Sequence, residues 1–188
     1  RYVVVFQNWL KPAGASFDHL HKQVVAIDKV GADNESVLPK AVLDPGIFNR
    51  WGPDFAVEHG LVLACNEGAV MTVGFGHRYP SVEVWSTSRV DQPWRVDDEG
   101  IDAVSDLLHA AHVAVSDDVP ANEEWHYRPM GTGVAVPWGI ILKLRISTLA
   151  GFEGGTKIYV NTISPAALAA MLLPKLFQAR AAGRIAPM

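Results

Sequence analysis

Residues able to do chemistry are densest between positions 14 and 23, which read Gly-Ala-Ser-Phe-Asp-His-Leu-His-Lys-Gln. The β-branched residues that follow predict a strand running to Ile27, and on a strand the side-chain period is two. His19, His21 and Gln23 then share one face, each roughly 6.5–7 Å from the next, while Leu20, Lys22 and Val24 share the other. Two imidazoles and an amide in one row would be costly in an ordinary core without partners. Just upstream, Gly14 and Ser16 lie in a turn whose backbone N–H groups can converge on an anion. Imidazoles beside an anion cradle suit a metal site, or nucleophilic attack at phosphorus by a neutral ring nitrogen.

The metal alternative is weighed by spacing. A cupin-like site has Gly, then His-x-His, then Glu, but Val25 and Ala26 occupy the Glu position here. Its second box is half present as Gly131, Pro137 and Gly139, with Leu142 where a His belongs. The cupin reading therefore loses its ligands.

Taken together, Phe6-x-Asn8, Ala13-Gly14-Ala15-Ser16 and His19-x-His21-x-Gln23 resemble the active-site segment of the galactose-1-phosphate uridylyltransferase-like nucleotidyltransferases. These form the transferase branch of the histidine-triad superfamily. The resemblance implies that His21 attacks the α-phosphorus to give a nucleotidyl-histidine and that Gln23 hydrogen-bonds the phosphoryl oxygens. It further implies that Gly14 and Ser16 cradle the phosphate, and that Asn8 opens the segment as a substrate contact. An amide at Gln23 can stabilise developing charge without activating water, which favours transfer over hydrolysis. The sequence departs from the family at Leu20 and Lys22, where uridylyltransferases have Pro and Gly.

A second segment, Leu149-Ala150-Gly151-Phe152-Glu153, leads on to Asn161 and Ser164-Pro165 and resembles the family's late motif. That likeness implies that Glu153 accepts sugar hydroxyls, with Gly151 and Phe152 shaping the pocket. The family's Lys ahead of this motif is replaced by Ser147-Thr148, which either removes a cationic contact to the sugar phosphate or leaves it to Lys143, Arg145 or Lys157. In zinc-containing relatives the first His of His-x-His is a ligand, so His19 is the metal candidate. Cys65 is the sole cysteine, so the other ligands of a zinc site would lie outside this chain. His126 has Glu124 where a partner His would stand, and His59, His77, His109 and His112 have no supporting constellation.

The elements that must position these residues are legible in outline. Arg1–Phe6 reads as a strand closed by the turn Asn8–Gly14. A short helix is expected at Glu35–Leu43. Leu61–Cys65, Ala69–Phe75 and Val82–Ser86 follow as an antiparallel meander. Ile101, Val104, Leu107, Leu108, Ala111 and Val115 recur at helical spacing behind the acidic Asp97-Asp98-Glu99. Trp125–Arg128 and Ile140–Ile146 read as strands, with Lys143 and Arg145 alternating onto one face, and Tyr159–Asn161 as a further strand. Ser164-Pro165 opens a helix through Leu173, with Pro174 ending or kinking it.

This order predicts an α+β fold with an antiparallel sheet, and the resemblance implies two histidine-triad-like half-barrels. Residues 1–55 would end an incomplete first half that carries the active-site strand, and residues 56–188 would form the second half. The strand already in progress at Arg1 is expected to be the later portion of something longer. With 49% hydrophobic residues among 188, the chain can build a core rather than remain disordered. Sixteen Lys and Arg against 20 Asp and Glu give a net charge of −4, with no basic run to hold nucleic acid. No apolar stretch approaches a membrane span. One cysteine fits a reducing, cytoplasmic compartment. The implied partners are a nucleoside-diphosphate sugar and a sugar phosphate, with a homodimer or the missing first half completing the site. The alternatives are a non-catalytic nucleotide- or sugar-phosphate-binding domain of the same fold, and a phosphohydrolase.

Overall fold

The computed structural model describes residues 2–17 and 19–187; Asp18, within the histidine motif, lies outside them. The Val-rich run extends through Asn8 as β1 (Tyr2–Trp9) and pairs antiparallel with β2 (Lys22–Ile27). α1 (Ala32–Leu43) follows, with Asp33 and Glu35 in its first turn, where carboxylates favour the helix end. Two short helices, α2 (Ile47–Asn49) and α3 (Phe55–Glu58), flank a kink at Trp51-Gly52. The meander forms β3 (Val62–Cys65), β4 (Ala69–Val73) and β5 (Ser81–Ser86). α4 (Asp98–Val115) starts where the Asp97 carboxylate accepts the Gly100 N–H at 3.0 Å. β6 (Ala121–His126) and β7 (Gly139–Leu144) precede α5 (Gly151–Thr156) and α6 (Pro165–Ala181).

The strands form one antiparallel sheet in the order β2-β1-β6-β7-β5-β4-β3. β1 and β2, from the segment assigned to the first half, thus share a sheet with the strands assigned to the second. Cross-strand partners point to the same side, so the register sorts the side chains into two faces. Met71, Val82, Val84, Leu142 and Ile140 lie on one, packed against Val104, Leu107 and Ala111 of α4 and Leu168 and Leu172 of α6. Asn8, Phe6, Gln23, Asn122, Glu124 and Lys143 lie on the other. One face is a core; the opposite one carries this polar row beside apolar residues such as Val4 and Ile141.

Four expectations need correction. The strand begins only at Lys22, so His19 and His21 precede it rather than forming its first alternating positions. β6 covers 121–126, not 125–128, because Asn122, Glu123 and Glu124 each find partners that offset burying a polar side chain in a sheet. Residues 159–161 form no strand: Ile158 and Val160 both stay exposed, and Tyr159 instead stacks under the Arg78 guanidinium at 4.0 Å. α6 runs past Pro174 to Ala181, because Leu172, Leu176 and Ala179 stay buried on both sides of the missing N–H.

Candidate active site

β1 leaves the sheet through Leu10, a 3-10 turn at Lys11–Ala13, and Gly14 at φ 86, a left-handed conformation that glycine adopts without a Cβ penalty. The N–H groups of Ala13 and Ala15 bond the Leu10 carbonyl, and that of Gly14 bonds Lys11. These amides are engaged within the turn, so the backbone cradle expected from Gly14 is not free for an anion. Ser16 follows, exposed, with its hydroxyl available.

Beyond the turn, three rings gather. Phe17 stacks on His19 at 5.6 Å and meets His21 edge-on at 5.9 Å, and the two imidazoles are 5.1 Å apart. The His21 Nδ1 lies 3.0 Å from the His19 carbonyl oxygen. A carbonyl can only accept, so in the neutral ring Nδ1 carries the proton and Nε2 bears the lone pair. Gln23 stands opposite Phe6 on the polar face.

That polar face carries a groove of about 540 Å³ whose walls include Phe6, Asn8, Asn122, Glu124, His126 and Arg145. Ser16, His19, His21 and Gln23 are not among its lining residues. One hydrogen-bonded chain organises its floor. Asn122 Nδ2 donates to Asn8 Oδ1 at 2.7 Å and to the Ala13 carbonyl at 2.8 Å, and Arg145 Nη1 donates to Asn122 Oδ1 at 2.8 Å. Asn8 is thereby the joint between the groove and the turn that precedes the histidines.

Of the three candidate cations, Lys143 donates to Glu124 at 2.7 Å and Lys157 to the Gly154 carbonyl of its own helix at 2.9 Å. Arg145 stacks on Tyr79 at 4.5 Å, and its Nε is buried without a hydrogen-bond partner. Among the described residues no carboxylate pairs with it. A half-buried guanidinium with an unused donor is suited to an anion.

The second motif sits apart. Gly151, Phe152 and Glu153 form the first turn of α5, and the Glu153 carboxylate accepts the Ala150 N–H at 3.0 Å. None of the three lines the groove, and Phe152 is 54% exposed.

A carboxylate that the sequence did not single out is the most heavily bonded group nearby. Glu123 is buried on the helix-covered face and accepts from Lys22, from Trp125 Nε1 at 2.8 Å and from His112 Nε2 at 3.1 Å. Burial alone pushes its carboxyl up, but the donors from His112, Lys22 and Trp125 outweigh it and hold the group at about 2. Glu124, on the groove face, is likewise held at about 2: burial opposes ionisation, and His126 and Lys143 overcome it. His77 has a similar carboxylate partner, Glu83, at 2.5 Å. His112 and His77 were therefore not the isolated histidines their spacing suggested; a helix-to-strand pair leaves no local signature.

Around His19, among the described residues, no three His, Cys, Asp or Glu side chains gather so as to hold a metal ion. Cys65 belongs to β3, the sheet edge opposite β2. The described residues of this chain do not by themselves make a metal centre.

The same fold occurs in solved structures. An ADP-glucose phosphorylase from Arabidopsis thaliana with bound ADP-glucose superposes with a TM-score of 0.76 at 22% identity, over 92% of this chain and 57% of that one. A GALT-like protein from Arabidopsis thaliana gives 0.73 at 21% identity, over 92% and 60%. A uridylyltransferase gives 0.79 at 18% identity, over 94% and 61%. The chain thus spans about three fifths of the structures it matches, and no curated protein matches its sequence. At the level of sequence families, the domain of unknown function DUF4921 matches residues 1–188, and the chain belongs to that family.

Proposed function

We propose that this protein transfers a nucleoside monophosphate from a nucleoside-diphosphate sugar or a dinucleotide to a sugar phosphate or to phosphate, by way of nucleotidyl-His21. The observation that carries the reading is the bond from His21 Nδ1 to the His19 carbonyl, which leaves Nε2 as the nucleophilic nitrogen. Nε2 attacks the α-phosphorus, the bond from that phosphorus to the bridging oxygen breaks, and the sugar phosphate leaves with the electron pair. An acceptor phosphate oxygen then attacks the same phosphorus and releases His21. Gln23, on the groove's side of the sheet, serves the phosphoryl oxygens as a donor and offers water no base. Ser16 supplies a further hydroxyl donor, Asn8 lines the groove, and Arg145 is the cation for the acceptor phosphate.

Intact-mass measurement of the protein after incubation with a panel of nucleoside-diphosphate sugars tests the reading. The expected result is an acid-labile nucleotidyl adduct that is absent from His21→Ala. No adduct with any donor, or an adduct that survives His21→Ala, overturns it.

The engagement of Glu153 in capping its own helix favours a second reading, a non-catalytic nucleotide- or sugar-phosphate-binding domain. Equal affinity for donor in wild type and His21→Ala, with no turnover, is its signature. Release of nucleoside monophosphate to water without acceptor would mark a phosphohydrolase.

A further inference from the structure

His21 lies one residue outside the sheet, and its own hydrogen bond runs to His19 within the same short segment. That bond sets the ring's tautomer but does not fix the segment relative to the rest of the molecule. The neighbouring Lys22 does make such a link. It is the first residue of β2 and faces Gln7 of β1 in register. Its ammonium reaches the Glu123 carboxylate, lies 3.4 Å from Gln7 Oε1 and sits 5.9 Å from the Trp125 ring centroid. Glu123 in turn accepts from His112 of α4 and from Trp125 of β6. Gln7 and Glu123 are both buried, whereas the Lys22 side chain is 41% exposed.

We propose that Lys22 and Glu123 are positioning residues that lock the start of β2 to β1, β6 and α4, and so hold His21 Nε2 in its attacking position. The proposal rests on the transfer reading above. Its physical basis is alternation: Lys22 points to the helix-covered face while Gln23, its successor, faces the groove side. An anchor on the reverse side fixes the backbone without occupying the space a substrate needs. The carboxylate suits this role because two further donors, His112 of α4 and Trp125 of β6, restrain the position at which it meets Lys22. A flexible lysine becomes a fixed strut only when its ammonium has a buried, ionised partner. The position where uridylyltransferases have Gly is here filled by that strut.

The test compares wild type, Lys22→Met and Lys22→Arg in nucleotidyl transfer and in ring-nitrogen NMR of ¹⁵N-histidine-labelled protein. Lys22→Met keeps an apolar stem at a half-exposed edge position but removes the charge. It is expected to lower kcat about 10- to 100-fold with donor KM changed less than about threefold, the pattern of a misaligned nucleophile rather than lost binding. The His21 ring shifts move, because the surroundings of the ring change once its segment is no longer held to the sheet, while the bond to the His19 carbonyl travels with the segment. Lys22→Arg restores both readouts. Should Lys22→Met not fold, Glu123→Gln reads the same quantities, since it keeps the side-chain shape and removes the charge. Unchanged kcat and unchanged His21 shifts overturn the proposal. In a wild type without transfer activity the ring shifts alone decide: movement supports the anchor while the transfer reading fails, and no movement overturns the anchor too.

Discussion

At the scale of single residues, the chemistry of the site turns on which nitrogens and which cations remain uncommitted. His21 keeps Nε2 because a backbone carbonyl claims Nδ1. Arg145 keeps donors because Asn122 takes only Nη1 and no carboxylate among the described residues neutralises it, whereas Lys143 is committed to Glu124. This contrast yields a prediction. A charge-assisted hydrogen bond to an anion is worth about 1.5–3 kcal/mol, so Arg145→Gln is expected to raise the KM for the acceptor phosphate about 10- to 100-fold. Adduct formation from the donor slows as well, because under the proposed transfer the sugar phosphate leaves from the place the acceptor phosphate takes in the second half-reaction. Arg145→Lys recovers only part of the loss, a point charge replacing a planar fork. Separate kinetics of the two half-reactions check this; an acceptor KM unmoved by Arg145→Gln would assign the phosphate contact elsewhere.

At the scale of elements, close approach of strands sets what the sheet tolerates. A Cβ on Gly139 would meet the Trp85 ring at 2.3 Å and the Val84 carbonyl at 2.5 Å. The backbone there is held by the β5–β7 pairing and the ring by its indole N–H bond to Glu83 at 2.7 Å, so neither can yield cheaply. Gly139→Ala is therefore expected to cost about 1–3 kcal/mol by overpacking, read as a lower urea midpoint at unchanged slope. Gly133→Ala, with open space where its Cβ would fall, serves as the control and is expected to be near neutral. The same packing explains what the sequence could and could not convey. The meander and α4 were legible because their burial is periodic, and Val104, Leu107 and Ala111 fall where a 3.6-residue repeat puts them. His19, His21 and Gln23 were legible as a motif, although not as a strand face. Residues 121–124 of β6 were hidden because Asn122-Glu123-Glu124 reads as a solvated run, and the partners that make it strand, Asn8, Lys22 and Lys143, stand on other strands. α5 was hidden because Gly151, Gly154 and Gly155 disfavour a helix that Glu153 caps through its own side chain. Long-range polar pairing leaves no local pattern, and the Lys22–Glu123 contact is of that kind.

At the scale of the whole molecule, adjacent residues of one central strand put a carboxylate on each side of the sheet. Glu123 meets Lys22, Trp125 and His112 on the helix side, and Glu124 meets Lys143 on the groove side. β6 joins the β1–β2 edge to the rest of the sheet: Glu123 ties it to β2 and Glu124 ties it to β7. Both carboxyls sit at about 2, below the 4.5 of a free glutamic acid. A group whose folded value is depressed stabilises the fold fully above its unfolded value and loses that contribution as the pH falls through the folded one. For buried Glu123 the contribution is on the order of 3 kcal/mol at neutral pH. The expected unfolding free energy is therefore insensitive to this pair down to about pH 5 and falls between there and about pH 2 as the carboxylates protonate. Glu123→Gln lowers stability at pH 7, because a neutral amide offers Lys22, His112 and Trp125 one acceptor oxygen in place of two and no charge, and flattens the acid limb by roughly 3 kcal/mol relative to wild type. Urea unfolding followed by tryptophan fluorescence at pH 7, 5, 3.5 and 2.5 checks both, with pH values chosen to span about two units below the free carboxyl. Parallel acid limbs in wild type and Glu123→Gln would place the acid sensitivity of the sheet in other carboxylates.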